Sequence, residues 1–418
     1  MAYLGICCGS WRNVACFLIF GLQCVFHQRV LGVAAQDILM GSTLPTSSLI
    51  LSVSILELVV KLIAPWIVYR IPYTACAIIG LVLSTVSVIL VVVMESVFLR
   101  LGGAVLIGGA LAWNISLFLA MTVRFSNFTE LTSALETGIN CGSMLAAVYY
   151  TGLTTSQCIT PRAAVAGTLA FSAIYLAFFF ALEDSQIDHG ENSEVKYQPL
   201  LQDLDETKDN ATSCGGKSRI LIQVLPICLY LYVGFFAFFF SHYSVLTTLV
   251  FPNAPFKSSN HFKFYTLAFG TSRFLGCSEL LFVSRFFPKA LPYARVHRLW
   301  ILSLLDFAHV IFFIFVTWYR FIPNVWIVLL LCATHGFISG SVMVNGALEA
   351  AGQFEDPVDK GIAMGMIQWG STAGIIAASV VGLFTEPALM QHCQDELRLG
   401  EYCFTRENYT TGWSHPRC

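Results

Sequence analysis

Eleven long apolar stretches dominate this 418-residue chain and leave little of it for a surface that faces water. A helix needs about 20 consecutive apolar residues to cross the roughly 30 Å hydrocarbon core of a bilayer. The stretches cover approximately residues 13–35, 47–69, 74–95, 99–123, 132–154, 163–182, 220–250, 262–286, 297–319, 322–348 and 361–384. We therefore predict an all-α, multi-pass membrane protein with about eleven transmembrane helices.

Charge content supports this fold class and excludes several functions. Charged residues make up 11% of the chain, against about 25% in soluble domains. A net charge of −2 offers no basic surface for nucleic acid. The sequence lacks zinc-type Cys/His spacing and the motifs of metalloproteases, α/β-hydrolases and phosphate-binding loops. We predict no metal, no cofactor and no enzymatic activity.

An acidic segment divides the apolar stretches into six and five. It spans residues 183–218, with nine acidic and three basic residues. The predicted organisation is a six-helix bundle at 1–182, this linker, a five-helix bundle at 219–384 and a polar tail at 385–418. Two helical bundles joined by a linker are typical of major-facilitator-like secondary transporters, here one helix short of six plus six.

Basic residues in the short loops predict the orientation. Eight lie on the side of the N-terminus and five on the other side, which favours a cytosolic N-terminus and linker and a lumenal tail. Asn408, in an Asn-x-Thr sequon of that tail, is then a predicted glycosylation site. The alternative, a signal peptide cleaved near residues 33–35, requires an unusually long apolar core for such a signal.

Ionisable residues within the stretches are candidates for function, because each costs about 2.5–3.5 kcal/mol to insert. Glu57 and Lys61 are four residues apart in the second stretch, the spacing of a helical ion pair. A static pair and a gate that opens when substrate or a proton competes for either partner are equally compatible with this spacing.

Arg273 is the most informative of these residues. It lies in the middle of its stretch, with no acidic residue within one helical turn. A permanent guanidinium charge there must face another helix, a water-filled cavity or an anion, and we favour the anion. Arg29 lies nearer the end of a stretch, where we expect its side chain to reach the membrane interface.

Three further acidic or imidazole side chains complete the candidates for gating or proton coupling. Asp306 and His309 are three residues apart, which suits either a structural hydrogen bond or a proton shuttle. Glu136 precedes Gly138-xxx-Gly142, a spacing that permits close helix packing. In the linker, Tyr197, Leu200 and Leu201 form a sorting-like motif for clathrin adaptors.

Several sequence blocks resemble the battenin family. The most specific are WRNVACFLIFGLQCVF with AAQDIL (Trp11–Leu39) and LVVKLIAPWIVYRIPY (Leu58–Tyr73). Weaker matches follow in the same order, namely YYTGLT, QPLL, TSR around Arg273, MVN ending at Asn345 and IAMG. The resemblance covers most of the chain.

The resemblance implies a major-facilitator-like fold in lysosomal and late endosomal membranes, and export of small metabolites. Glycerophosphodiesters are the implied substrate class, with links to basic amino acids and lumenal pH. Lys61, Gly138, Arg273 and Asn345 match the family pattern, so we expect Lys61, Arg273 and Asn345 to bind an anionic substrate.

The chain also departs from the family pattern. A glutamate of the seventh span falls at Gly234, and an aspartate of the last span falls near Ser371. Paired asparagines fall at Cys24 and Val25, while the family is apolar or small where this chain has His27 and Arg29.

The alternatives to transport are a scaffold for lysosomal trafficking and a membrane enzyme acting on lipids.

Overall fold

The computed structural model describes residues 2–68, 71–122, 125, 128–182, 214–406 and 413–414, and these residues form helices without any strand. The predicted all-α class is confirmed. The long helices, labelled α1 to α11, are Ala2–Val33, Ser47–Ile67, Tyr73–Val93, Val97–Thr122, Phe128–Thr151, Pro161–Ala181 with a break at Thr168, Cys214–Phe240, His261–Phe286, Leu299–Tyr319, Val325–Gly352 and Pro357–Asp395.

Nine of these helices are both long and apolar enough to cross a membrane. The other two, α5 and α8, have 24 and 26 residues, sufficient to cross the hydrocarbon. They are more polar because they carry Glu136 and Arg273. Both helices pack against each other between the two halves of the molecule, where polar side chains avoid contact with lipid.

The same helix pairing occurs before and after the linker. In the first half α1 packs on α5 and α2 on α4, and in the second half α7 packs on α11 and α8 on α10. The halves meet where α2 contacts α11 and where α5 contacts α8. Helix α6 lies against α1 and α3. The described residues after α11 contain no long helix that would correspond to it.

Glycines bring α1 and α5 into close contact, as the Gly138-xxx-Gly142 spacing predicts. A Cβ atom at Gly138 would overlap the carbonyl oxygen of Leu18 on α1, and one at Gly142 would lie 2.6 Å from the carbonyl oxygen of Leu22. The small-residue spacing therefore sets the crossing of these helices.

The second half contains an equivalent glycine-mediated contact between two helices. Gly370 and Gly374 on α11 have the same spacing, and a Cβ at either position would overlap a backbone carbonyl oxygen of α7, that of Cys228 or of Tyr232. Aligned by these glycines, ETGINCG at 136–142 corresponds to QWGSTAG at 368–374. The correspondence pairs Asn140 with Thr372.

The polar tail folds back over one face of the helices, which we call the tail side; the opposite face, where α6 ends and α7 begins, is the linker side. A disulfide joins Cys393, in the last turn of α11, to Cys403. Helix α11 itself continues to Asp395, beyond residue 384 where its apolar stretch ends. Glu386 in this extension is buried and accepts hydrogen bonds from the backbone and hydroxyl of Thr46, before α2.

The tail contacts both halves. Thr405 donates its backbone N–H and its hydroxyl to the carbonyl oxygen of Thr247, at 2.9 Å each, and accepts from Gln36 Nε2 at 2.5 Å. Arg406 donates to the carbonyl oxygens of Leu44 and Ser42, at 2.9 and 3.2 Å. The described part of the tail thus connects the end of α1 with the end of α7.

We expect Gly138→Ala to destabilise the purified protein by about 1–3 kcal/mol, because the added methyl group overlaps backbone rather than a movable side chain. Thermal unfolding in detergent would measure the loss. Gly102→Ala is the matched control, since a Cβ there meets nothing within 4 Å. Equal melting temperatures for the two variants would contradict the close crossing of α1 and α5.

Candidate binding site between the two halves

Arg273 lies deep in the second half, and no described residue forms a hydrogen bond with its side chain. Its side chain extends from α8 toward α7, where its guanidinium carbon is 4.8 and 4.9 Å from the ring centres of Phe235 and Phe238. The residue is 8% exposed, and its Nε is a buried donor without an acceptor. No carboxylate of the described residues forms an ion pair with it. Aromatic faces stabilise the cation but leave its N–H groups available.

Arg29 approaches the same region from the first half. Its guanidinium carbon lies 5.6 Å from the ring centre of Phe239 on α7, and its Nε is also buried without an acceptor. The charges of Arg29 and Arg273 are close enough to influence each other. The prediction that Arg29 reaches the membrane interface is therefore wrong: helix α1 directs it toward the other half.

His242 borders this pair of arginines. It belongs to a π-helical turn at Ser241–Val245 that follows α7, a distortion often found at functional sites. Its Nε2 lies 2.7 Å from Thr266 Oγ1, which donates its own hydrogen to the carbonyl of Phe262. Thr266 must therefore accept from Nε2, which leaves Nδ1 of His242 buried and unpartnered.

Asp306 contacts a different histidine from the one expected. Its Oδ1 lies 3.4 Å from Nε2 of His335 on α10, and both side chains are fully buried. His309 instead approaches the carbonyl oxygen of Leu305 at 2.9 Å and Thr334 Oγ1 at 3.1 Å. The spacing of Asp306 and His309 places them near each other on α9, but α10 supplies the nearer imidazole.

The three side chains nevertheless lie next to one another. The rings of His309 and His335 stack with centres 5.1 Å apart. Asp306 is fully buried, whereas His309 is partly exposed. Gly234 of α7 lies beside the carboxylate, since a Cβ there would be in van der Waals contact with Asp306 Oδ2, at 3.4 Å.

Lys61 and Glu57 form the predicted ion pair, with Nζ 2.6 Å from Oε1. Lys61 also donates to Thr372 Oγ1 on α11 at 2.9 Å, so it links the two halves directly. Its charge also acts on Glu136 of α5. Oε2 of Glu57 is buried without a hydrogen-bond donor. The geometry places the pair at the contact between halves and not beside Arg273.

Asn345 lies near the linker-side end of α10 and is engaged by backbone. Its Oδ1 accepts from the N–H of Val296 at 2.9 Å, and its Nδ2 donates to the carbonyl oxygen of Ser341 at 2.9 Å. These bonds anchor the loop before α9. Ser371 donates to the carbonyl oxygen of Gln368 on its own helix. Tyr197, Leu200, Leu201 and Asn408 lie outside the described residues.

An ion pair joins the halves near the tail side, and no local sequence pattern indicated it. Asp37 follows α1, and Lys263 lies in the first turn of α8; their charged atoms are 3.6 Å apart and both side chains are 3% exposed. The hydroxyl of Tyr150 donates to Asp37 at 2.6 Å. Asp37 and Lys263 are separated by more than half of the chain, and only the fold brings them together.

Comparison with known proteins identifies the family. The family model described as "CLN3 protein" matches residues 15–392. The chain belongs to the CLN3 family. The predicted resemblance to battenin is thus confirmed, since battenin of Canis lupus familiaris is 24% identical over 390 residues, covering 83% of this chain and 85% of the relative. Protein BTN1 of Yarrowia lipolytica is 26% identical over 393 residues, covering 90% and 94%.

Solved structures show the fold that this CLN3-family chain adopts. A bacterial homolog of the human lysosomal transporter Spinster, inward-facing and unoccupied, has a TM-score of 0.66 at 13% identity, covering 94% of this chain and 85% of that one. An auto-inhibited POT-family peptide transporter has a TM-score of 0.61 at 15% identity, covering 94% and 92%. The major-facilitator-like fold is therefore confirmed.

We expect Lys61→Met to destabilise the protein by about 3–5 kcal/mol, because it leaves the Glu57 carboxylate buried without its counter-ion. The double variant Glu57→Gln/Lys61→Met removes both charges and should recover most of the loss. Thermal unfolding of both variants measures the difference, with Lys289→Met, at an exposed position, as control. A double variant no more stable than Lys61→Met would contradict a self-neutralising pair.

Proposed function

We propose that this CLN3-family protein is an alternating-access transporter of the endolysosomal membrane that carries small anionic metabolites. The observation that supports this most directly is Arg273, a buried guanidinium that forms no ion pair with any described residue and lies within electrostatic reach of Arg29 from the first half. A fixed charge of this kind is costly in a membrane protein unless it serves a ligand or a conformational change. The fold and the family support the transporter class.

Glycerophosphodiesters are the proposed substrate class. A phosphodiester carries one negative charge and unesterified oxygens that accept hydrogen bonds from guanidinium N–H groups. Basic amino acids are a poorer match to Arg273, because their cationic side chains would be repelled. Effects on basic amino acids and lumenal pH are accordingly proposed to follow from loss of the primary transport activity.

The orientation proposed is a cytosolic linker and a lumenal tail side. The Cys393–Cys403 disulfide lies on the tail side and suits an oxidising compartment. The Asp37–Lys263 pair joins the halves near this side, and the Lys61–Thr372 bond joins them in the last third of α2. In the proposed cycle the Asp37–Lys263 and Lys61–Thr372 contacts open in turn, each as the gate on its own side. When the Lys61–Thr372 contact opens, Lys61 stays paired with Glu57. Glu136 adds a further acidic group near Lys61.

The series Asp306, His335 and His309 is a proposed proton pathway. It extends from a fully buried carboxylate to a partly exposed imidazole, and imidazole groups exchange protons near neutral pH. This extends the Asp306–His309 shuttle considered from the sequence. Asn345 has a proposed indirect part in substrate binding, since it anchors the loop before α9.

Metabolite profiles of purified lysosomes test the proposal. Cells that lack the protein should accumulate glycerophosphodiesters, which re-expressed wild type should clear and Arg273→Gln should not, because the anion loses its charge partner. Arg219→Gln is the matched control, since Arg219 is exposed at the start of α7. Localisation and yield of each variant are measured alongside.

Three results would contradict transport through this site. Clearance by Arg273→Gln equal to that of wild type would remove its central residue. Identical profiles with and without the protein, combined with a defect only when residues 183–218 are deleted, would favour the trafficking scaffold and its adaptor motif. A chemically altered product in place of an accumulated one would favour a lipid-metabolising enzyme.

A further inference from the structure

Arg29 and Arg273 share one aromatic platform although they belong to opposite halves. Phe235, Phe238 and Phe239 form this platform on α7; the ring centres of Phe238 and Phe239 are 5.3 Å apart. Arg273 lies over the first two rings and Arg29 over the third. Two guanidinium groups are therefore held near each other from different directions.

The two buried lysines at the boundary between the halves have carboxylate partners, whereas Arg29 and Arg273 have none among the described residues. Lys61 pairs with Glu57, and Lys263 pairs with Asp37. Among the described residues neither Arg29 nor Arg273 forms an ion pair or a side-chain hydrogen bond, and both Nε atoms are buried. The arginines thus retain hydrogen-bond donors for a ligand.

The groups that face the two arginines include one carboxylate, that of Asp306. Tyr243 and His242 lie within electrostatic reach of Arg29, and both are neutral side chains in their usual protonation states. Asp306 acts on Arg273 from α9, but its carboxylate lies against His335. Like charges in a medium of low dielectric repel strongly, so the pair is most stable with an anion between its members.

We infer that Arg29 and Arg273 together bind the phosphoryl group of the substrate, with one guanidinium on each side of it. A planar carboxylate can satisfy a single arginine fork with both oxygens. A tetrahedral phosphoryl group can do the same, and its geometry also allows its unesterified oxygens to accept from two separate donors. Arg29 is therefore a specificity-determining residue of this chain. The inference rests on the proposed function and deepens it.

The location of the arginines also links binding to movement. Because α1 and α8 belong to different halves, repulsion between Arg29 and Arg273 resists their approach when the site is empty. A bound anion replaces this repulsion with attraction to both halves. Substrate binding should then favour closure, and the empty protein should change conformation slowly.

Calorimetric titration of the purified full-length protein tests the paired site. The probes are glycerol 3-phosphate as a monoester, glycerophosphocholine as a diester and glycerol as a neutral control. Arg29→Gln and Arg273→Gln should each weaken binding of the phosphate esters about ten- to hundredfold, the usual effect of losing a hydrogen bond to a charged group. Arg29→Lys should retain part of the affinity, and Arg219→Gln should match wild type.

The outcomes separate this inference from the proposed function. Unchanged affinity in Arg29→Gln, with loss in Arg273→Gln, would overturn the paired site and leave an anion transporter with a single arginine. Wild type that binds neither ester would contradict both. Preference for the monoester or for the diester identifies which phosphoryl chemistry the pair accepts.

Protection of the wild-type protein provides a test that does not depend on folding of the variants. Phenylglyoxal modifies accessible arginines, and peptide mass spectrometry reports each site. Glycerol 3-phosphate or glycerophosphocholine should slow modification of Arg29 and Arg273 together and leave Arg219 unaffected. Protection of Arg273 without protection of Arg29 would overturn the inference.

Discussion

The cost of placing charge in hydrocarbon governs the interior of this protein. The Lys61–Glu57 pair and the Asp37–Lys263 pair keep four ionisable side chains buried by neutralising one another. Such neutralisation is compatible with a membrane interior only when the partners stay together or exchange one partner for another. The Asp37–Lys263 pair spans the boundary between the halves, and Lys61 spans it through Thr372. The relative position of the halves is therefore coupled to charge balance.

Close helix packing provides the rigid parts between which this balance operates. In each half one pair of glycines allows two helices to pack closely. Gly138 and Gly142 do so for α5 and α1 in the first half, and Gly370 and Gly374 do so for α11 and α7 in the second. The more polar helices α5 and α8 then lie at the boundary, covered by more apolar ones. At these glycines the contacts within each half are between backbones, whereas the contacts across the boundary include polar side chains.

Patterns local to one helix were sufficient to predict the helical fold and one ion pair. Apolar length predicted the long helices, and the four-residue spacing predicted the pair of Glu57 with Lys61. Such patterns do not predict contacts between residues on different helices. His335 on α10 was therefore missed as the neighbour of Asp306 on α9. Arg29 was misjudged for the same reason, since its distance from the end of a stretch says nothing about the direction in which α1 presents it.

The tail adds contacts between the two halves at one face of the molecule. Thr405 donates a hydrogen bond to the carbonyl oxygen of Thr247 and accepts one from the side-chain amide of Gln36. The Cys393–Cys403 disulfide links the same segment covalently to α11. Separation of the halves at this face must break or stretch that bridge, in addition to the ion pair beneath it. The activation barrier for any opening toward the tail therefore depends on a segment that lies outside the helix bundle.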